Sequence, residues 1–509
     1  MKQLKIILIL LLLGSDAWAQ TDSSYFYAQA EKQSLLAYKN ATSLLASDVL
    51  RSGVAGFSYQ SVSGHYRMVQ QAEKQQVMKV ATSGLATLGK FKLSGYFNFS
   101  RNYQDSLNWT TKGTELDAQP YYFASSKAGS YERTLYDVGG IMSYALLEDK
   151  IFIASGLQYS FQSSTRSVDP RPGVENFQLV LKPQLVYRFN TKHYLGLQAN
   201  WGYGSEEYTL TFQNGNYQVS LAYPDRINYM IYGYGSIEIM QQNQRTLRRP
   251  KSNGLAINYA GGAGTYQFSA SIGADRLNDN NYFRTVNSVT DNLIGTFVLD
   301  DWKADVLISK NGKDNQQLSI DLFKSSGQDK RVLYNAVNYR YDYQRAGAEY
   351  LIRLNAQRPR SLEIGASFEY QNTDKEDVVS AHHVTTSLVE PGISGTYYLK
   401  TGKNSLLSFG AAGGYRIPLS SSITVPQLQE TVFTRGVVYG DYAYGTSRAF
   451  KGSFKLNYIS GTLFKEFKTG FSLQGNYLNQ VAEGIQNAAA TFLPSGQRSN
   501  LNLGVNLYF

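Results

Sequence analysis

Residues 500–509 read Asn-Leu-Asn-Leu-Gly-Val-Asn-Leu-Tyr-Phe. Leu501, Leu503, Val505, Leu507 and Phe509 fall on one phase of that stretch, and Asn500, Asn502, Gly504, Asn506 and Tyr508 on the other. Successive side chains of a strand point to opposite faces. One face is therefore wholly apolar and the other small or polar, a period of 2 rather than the 3.6 of a helix.

The same period recurs upstream. Phe91, Leu93, Phe97 and Phe99 alternate with Lys92, Ser94, Tyr96 and Asn98. Phe177, Leu179, Leu181, Leu185, Tyr187 and Phe189 alternate with Gln178, Lys182, Gln184 and Arg188. A soluble sandwich alternates too, but soluble strands peak near five or six residues. These runs reach the roughly 9–11 residues of a tilted membrane-spanning strand. Tight connections, such as Leu88-Gly89-Lys90 and Asn190-Thr191-Lys192, also take turns with long polar ones at 105–130, 205–225 and 419–450. Short periplasmic turns and long outer loops mark an outer-membrane barrel. Aromatic clusters at Tyr121-Tyr122-Phe123 and 439–444 are expected in its interfacial girdles.

Backbone satisfaction gives the reason: in hydrocarbon every N–H and C=O needs an internal partner, so a spanning sheet closes on itself. The expected fold is an all-β, up-and-down antiparallel transmembrane barrel. Strands are expected near 53–68, 77–88, 90–104, 131–147, 150–164, 176–190, 193–206, 226–240 and 253–273. The rest fall near 292–311, 315–326, 340–356, 361–374, 385–400, 404–417, 451–465, 468–481 and 498–509. That makes eighteen, with 14–20 compatible, because Gly261-Gly262-Ala263-Gly264 reads as a kink or a turn and 419–450 has room for another hairpin. Lys92, Lys182, Arg188, Glu363 and Glu369 lie on polar phases and are expected to line the lumen. Each basic one facing lipid at mid-membrane would cost about 2–4 kcal/mol.

Composition agrees. The chain has 509 residues, 40 of them Tyr, 45 Gly and none Cys. Without cysteine there is no disulfide scaffold, thiolate metal site or thiol catalysis. A mean hydropathy of −0.33 and no interior apolar run near the roughly 18 residues of a spanning helix exclude a helical membrane protein. At the start, Lys2 and Lys5 precede an apolar run at 6–13 and the small-x-small site Ala17-Trp18-Ala19. That is the layout of an export signal, so residues 1–19 are expected to be removed. Taking away Lys2, Lys5 and Asp16 leaves 47 basic and 38 acidic side chains. The basic residues are scattered, which argues against a nucleic-acid partner. Their densest group, Arg245, Arg248, Arg249 and Lys251 beside Pro250, reads as a solvated turn.

Between the signal and a barrel over 53–509 lies a segment of 20–52. Residues 27–50 carry helical spacing in Leu35, Leu36, Leu44, Leu45, Val49 and Leu50. A lumen-inserted helix, a periplasmic cap and a disordered leader all fit. The segment is too short for the globular plug of an energy-coupled receptor. For chemistry, only His65, His193, His382 and His383 are available. His382 and His383 lie near Asp374, Glu376 and Asp377, but adjacent residues on extended backbone point opposite ways, which favours a solvated loop over a metal site. No catalytic constellation, cofactor or metal site is expected.

Phe509, with Leu507, Val505, Leu503 and Leu501 at alternate positions, resembles the C-terminal signal that presents outer-membrane proteins to the barrel-assembly machinery. The resemblance implies that machinery as a partner and no domain after the barrel. The segment from Gly64-His65-Tyr66-Arg67 through Gln70-Gln71-Ala72-Glu73-Lys74, then 84–99, resembles the opening of a family of unknown function among the outer-membrane β-barrel proteins of Bacteroidetes. It implies an architecture and a location amid outer-membrane lipid and lipopolysaccharide, with no substrate or catalytic residue. Long-chain fatty-acid transporters carry Asn-Pro-Ala near the mature N-terminus, whereas Asn40-Ala41 here lacks the proline. The functional expectation is a passive channel for small solutes. A surface-binding barrel with a blocked lumen is the alternative, and an outer-membrane hydrolase comes third.

Overall fold

In the computed structural model the described residues are 39–113, 118–147, 150–217, 221–240, 244–285, 290–402, 405–461, 463–464 and 467–509. The export signal and the helical spacing before residue 39 lie outside them. Eighteen strands form one closed antiparallel sheet. The first nine are Arg51–Gly64, Lys74–Leu88, Phe91–Leu107, Gly129–Leu147, Ile151–Arg166, Arg171–Asn190, His193–Thr211, Gln244–Ala263 and Tyr266–Thr285. Asn292–Lys310, Asn315–Arg331, Tyr339–Leu354, Arg360–Asp377, His382–Gly402, Ser405–Thr424, Arg448–Ser460, Lys468–Ala482 and Gln497–Tyr508 complete it. Closure runs from Val54 opposite Tyr508 to Gly64 opposite Arg498. The terminal residue extends the seam: Gly53 N–H donates to the Phe509 carbonyl at 2.8 Å, and Phe509 N–H returns the bond at 3.0 Å.

The alternation sorts the side chains. Leu501, Leu503, Val505 and Leu507 stay 37–47% exposed on the outside, the opposite of what a soluble core would do with them. Trp201, Tyr203 and Trp302 are exposed on the same outer surface. A closed ladder with an apolar exterior is the surface of an outer-membrane type barrel. Among the described residues no helix is long and apolar enough to cross a membrane.

Two strand expectations are wrong in ways that cancel in the count. Residues 226–240 are not a wall strand: they lie inside the barrel as Tyr229–Tyr232 and Ile237–Ile239. The single strand expected at 253–273 is a hairpin, Gln244–Ala263 with Tyr266–Thr285. Its turn uses Gly264 at φ +60°, a left-handed backbone conformation that a residue without Cβ adopts without strain. The third correction concerns the long connections. They were expected to stand outside: 213–216 and 221–224 are indeed exposed, but 121–124 and 433–446, from the other two, fold into the lumen. Strand length makes room for them: His382–Gly402 runs 21 residues, about twice a bilayer crossing. The extra length rises past the hydrocarbon band as a collar at the long-loop end.

Candidate functional site

The collar is filled. Tyr121–Ala124 pairs antiparallel with Tyr229–Tyr232, which pairs with Ile237–Ile239, so two infolded connections make a three-stranded sheet inside the barrel. A third connection supplies a π-helical turn, Thr434–Val438, running into the α-helix Tyr439–Thr446. Trp109, Phe123, Ile231, Phe433, Val437 and Val438 form the plug's apolar centre. Close approach needs glycine here: a Cβ on Gly436 would lie 2.3 Å from the Trp109 ring. The Tyr121-Tyr122-Phe123 and 439–444 aromatics are therefore plug residues, not the girdle expected from sequence.

Three wall aspartates tie the plug to the collar. Asp377 accepts from Tyr234 N–H at 2.9 Å, Ser236 N–H at 2.8 Å, Ser236 Oγ at 2.7 Å and Ser380 N–H at 3.1 Å. Asp329 accepts from Tyr121 Oη at 2.6 Å, Tyr339 N–H at 2.6 Å and Asn338 N–H at 2.8 Å. Asp279 accepts from Gln119 Nε2 and from Arg248 Nη2, each at 2.6 Å. Arg248 also reaches Glu206 at 3.2 Å. The basic cluster beside Pro250 is therefore strand rather than solvated turn, with Arg248 turned inward as a strut.

The short-turn end holds a smaller insert. The helix Ala41–Ala46 lies inside the lumen, so this described part of the N-terminal segment is the lumen-inserted one of the three possibilities. Asn40 caps it, its Oδ1 accepting from Ser43 N–H at 2.8 Å while its Nδ2 donates to Asn258 at 3.1 Å. Ala41 N–H donates to Gln184 at 2.8 Å, and the Ser43 and Ser269 hydroxyls stand 3.4 Å apart. Ala41 and Leu44 bury against a small patch with Ile141, Phe152, Val186 and Tyr194.

Between the two plugs the inward residues are polar and incompletely covered. The Lys303 side chain is 53% exposed, Lys451 48%, and Arg345 and Asp321 43% each, although all four face the barrel interior. Asp321 and Arg345 pair at 2.8 Å, and Glu390 pairs with Lys451. Such exposure inside a closed wall means open space: the middle of the barrel is a charged chamber.

The five lumen candidates take different places around it. Lys92 reaches the Ser47 carbonyl behind the N-terminal helix. Lys182 donates to Gln158 at 3.3 Å, and Arg188 lies over the Phe152 ring at 5.9 Å. Glu363 accepts from Tyr398 Oη at 3.2 Å, and Glu369 from Gln371. At the seam, Val505 and Leu507 face outward and the Phe509 ring packs where a Gly53 Cβ would be. The histidine pair splits: His382 is fully buried between the Tyr234 and Gln429 carbonyls, while His383 turns outward to Asp374 at 3.1 Å. Both histidines lie in a wall strand rather than the expected loop, and only His383 is solvated. No cluster of three metal-ligating residues occurs among the described residues.

Sequence reasoning missed the three aspartates and the plug. The available signal was Tyr229-Met230-Ile231-Tyr232, apolar on both phases where a wall strand would alternate.

No curated protein matches the chain. Among solved structures, it is similar to the ferric citrate transporter FecA in its unliganded form, with 9% identity, 90% of this chain and 79% of that one covered, and a TM-score of 0.36. It is similar to the ferric-catecholate import receptor Fiu from E. coli K12 at 12% identity, covering 91% and 82%, TM-score 0.39. The FpvAI–pyocin S2 complex matches at 9% identity over 90% and 73%, TM-score 0.43. Likenesses this distant set no functional expectation. The profile of the family of unknown function DUF6850 matches residues 43–509, and the chain belongs to that family.

Proposed function

We propose that this chain is an outer-membrane barrel for the passage of small polar solutes, closed at rest and opened by movement of its plugs. The supporting observation is the charged chamber, covered by the packed plug at one end and entered by the N-terminal helix at the other. A wall built only to display loops has no use for unfilled, ionisable space at mid-membrane. A permanently open pore is disfavoured by the packed collar. The two seals differ in strength. The outer plug has an extended apolar centre and three aspartate anchors. The inner seal is a six-residue helix held by a few hydrogen bonds and one small apolar patch. The inner seal is therefore the easier to displace.

The absence of native cysteine makes the test clean. Ser43→Cys with Ser269→Cys places two thiols where hydroxyls are 3.4 Å apart. In planar bilayers, wild type should show infrequent conductance steps; the oxidised double variant should show none, and reduction should restore them. A wild-type barrel that never opens, with heat-modifiable gel mobility proving it folded, would replace this reading with the surface-binding one.

A further inference from the structure

One inward side chain interrupts the charges of the chamber. Phe323 shares its face of Asn315–Arg331 with Asp321 and Ser325, and in the ladder it stands opposite Lys303 on one neighbouring strand and Arg345 on the other. All four neighbours are polar, and the Lys303, Asp321 and Arg345 side chains are 43–53% exposed. The phenyl ring is itself partly exposed among them. It belongs to neither of the apolar clusters that pack the outer plug and the inner helix. Its ring contact is Tyr343, two positions before Arg345, with centroids 5.9 Å apart and planes at 56°. The Lys303 ammonium lies 5.5 Å from the Phe323 centroid, near the outer limit of a cation–π contact.

Apolar surface stabilises a fold only when it leaves water, and a threonine at this position would suit the ladder as well and hydrate better. The cations beside the ring each have a carboxylate: Lys303 has Asp301 at 3.9 Å, and Arg345 has Asp321 at 2.8 Å. Asp305, opposite Asp321 in the ladder, has Lys39 at 3.8 Å. Such pairs offer a neutral solute both acceptors and donors at the rim of two ring faces. A pyranose matches that surface, because its C–H groups make an apolar face and its hydroxyls, each donor and acceptor, surround the edge. Aromatic faces with a few placed polar groups are how small-molecule sites hold and orient a ligand. We propose that Phe323 and Tyr343 form a stacking platform for a neutral pyranose sugar, a mono- or disaccharide, whose hydroxyls bond Asp321, Arg345 and Lys303. The platform rests on the chamber receiving a solute, as proposed above, and not on that solute crossing the membrane.

The test uses the purified full chain in detergent, its folding checked by heat-modifiable gel mobility, titrated with cellobiose, sorbitol and choline by saturation-transfer NMR. Cellobiose should bind through its ring C–H protons, about tenfold more tightly than sorbitol, which has the hydroxyls without the ring. Phe323→Leu keeps the apolar bulk but loses the ring, and should weaken cellobiose about tenfold. Phe323→Tyr should bind as wild type does. Tyr96→Leu, which removes an inward aromatic on Phe91–Leu107, should change nothing. Equal affinities for cellobiose and sorbitol overturn the platform, as does a Phe323→Leu protein that binds like wild type. Choline displacing cellobiose from the rings would assign them to cations and overturn the sugar reading. Tyr343→Leu carries the same prediction if Phe323→Leu fails to fold. Absence of cellobiose binding in both wild type and Asn40→Ala, which loosens the inner helix, also overturns the site. Conductance steps without sugar binding overturn this site alone, whereas sugar binding by a barrel that never conducts overturns transport and leaves the site standing.

Discussion

The Tyr121 hydroxyl donates to Asp329 Oδ2 at 2.6 Å, joining a strand of the plug to a strand of the wall 208 positions later in the chain. Asp329 also holds the Asn338 and Tyr339 N–H groups, so the same carboxylate shapes the wall's own turn. Tyr121→Phe removes one charge-assisted bond and should cost about 1–2 kcal/mol. Asp329→Ala strands three buried donors and should cost about 3 kcal/mol or more. Both should raise open probability in bilayers, the alanine more. Equal conductance in all three proteins would show that the plug does not depend on this tie.

At the other end, Asn40 does two jobs through opposite faces of one amide. Asn40→Ala loses the helix cap, worth about 1 kcal/mol, and the bond to Asn258. A total of about 1–2 kcal/mol should multiply the undocked fraction of the inner helix some 5- to 30-fold. Slower oxidation of the Ser43→Cys, Ser269→Cys pair in the Asn40→Ala background would report it. An unchanged rate would mean that the apolar patch around Leu44 alone holds the helix.

How far the sequence carries follows from where each physical constraint acts. Lipid imposes strict alternation, so 500–509 and 177–189 declare strand, face and membrane together. The lumen imposes only polarity, so Lys92 or Glu363 can be assigned a face but not a partner. Above the bilayer neither constraint holds. Gln244–Ala263 begins with Arg245, Arg248, Arg249 and Pro250, which resembles a loop because that part of the strand stands clear of lipid. Its pairing to the preceding strand skips from Arg248 to Lys251, around the proline that cannot donate. Conversely, Tyr229–Tyr232 looks like wall because it is apolar, yet all four residues are buried in the plug. Eighteen strands were legible; which of two apolar segments was the eighth was not.

One loop carboxylate makes stability pH-dependent. Burial alone would push the Asp169 carboxyl up, but the Gln213 and Asn214 N–H groups and Arg171 outweigh it and hold the carboxyl below its usual range. A depressed folded value means the stabilisation is complete above the unfolded value of about 3.9 and is lost as pH falls through the folded one. Acid should therefore release the 212–217 connection. Pepsin, active in that range, should cut there progressively faster as pH drops below about 4. Asp169→Asn should be cut readily at every acidic pH. A wild-type rate that does not change across that range would remove Asp169 as the latch.

The lipid face gives the sharpest contrast, because two neighbouring residues should respond oppositely to one substitution. Leu503 sits outward between Tyr59 and Leu473, and Asn502 inward between Gln60 and Gln474. Leu503→Arg puts a guanidinium into hydrocarbon near mid-span and should cost about 2–4 kcal/mol. Asn502→Arg places the same group in the chamber, among Gln60, Asn500 and Gln474, and should cost under about 1 kcal/mol. Urea unfolding in vesicles, followed by tryptophan fluorescence, measures both differences. Equal losses would mean that the two phases of the last strand see the same medium, and a barrel with lipid outside and water within requires that they do not.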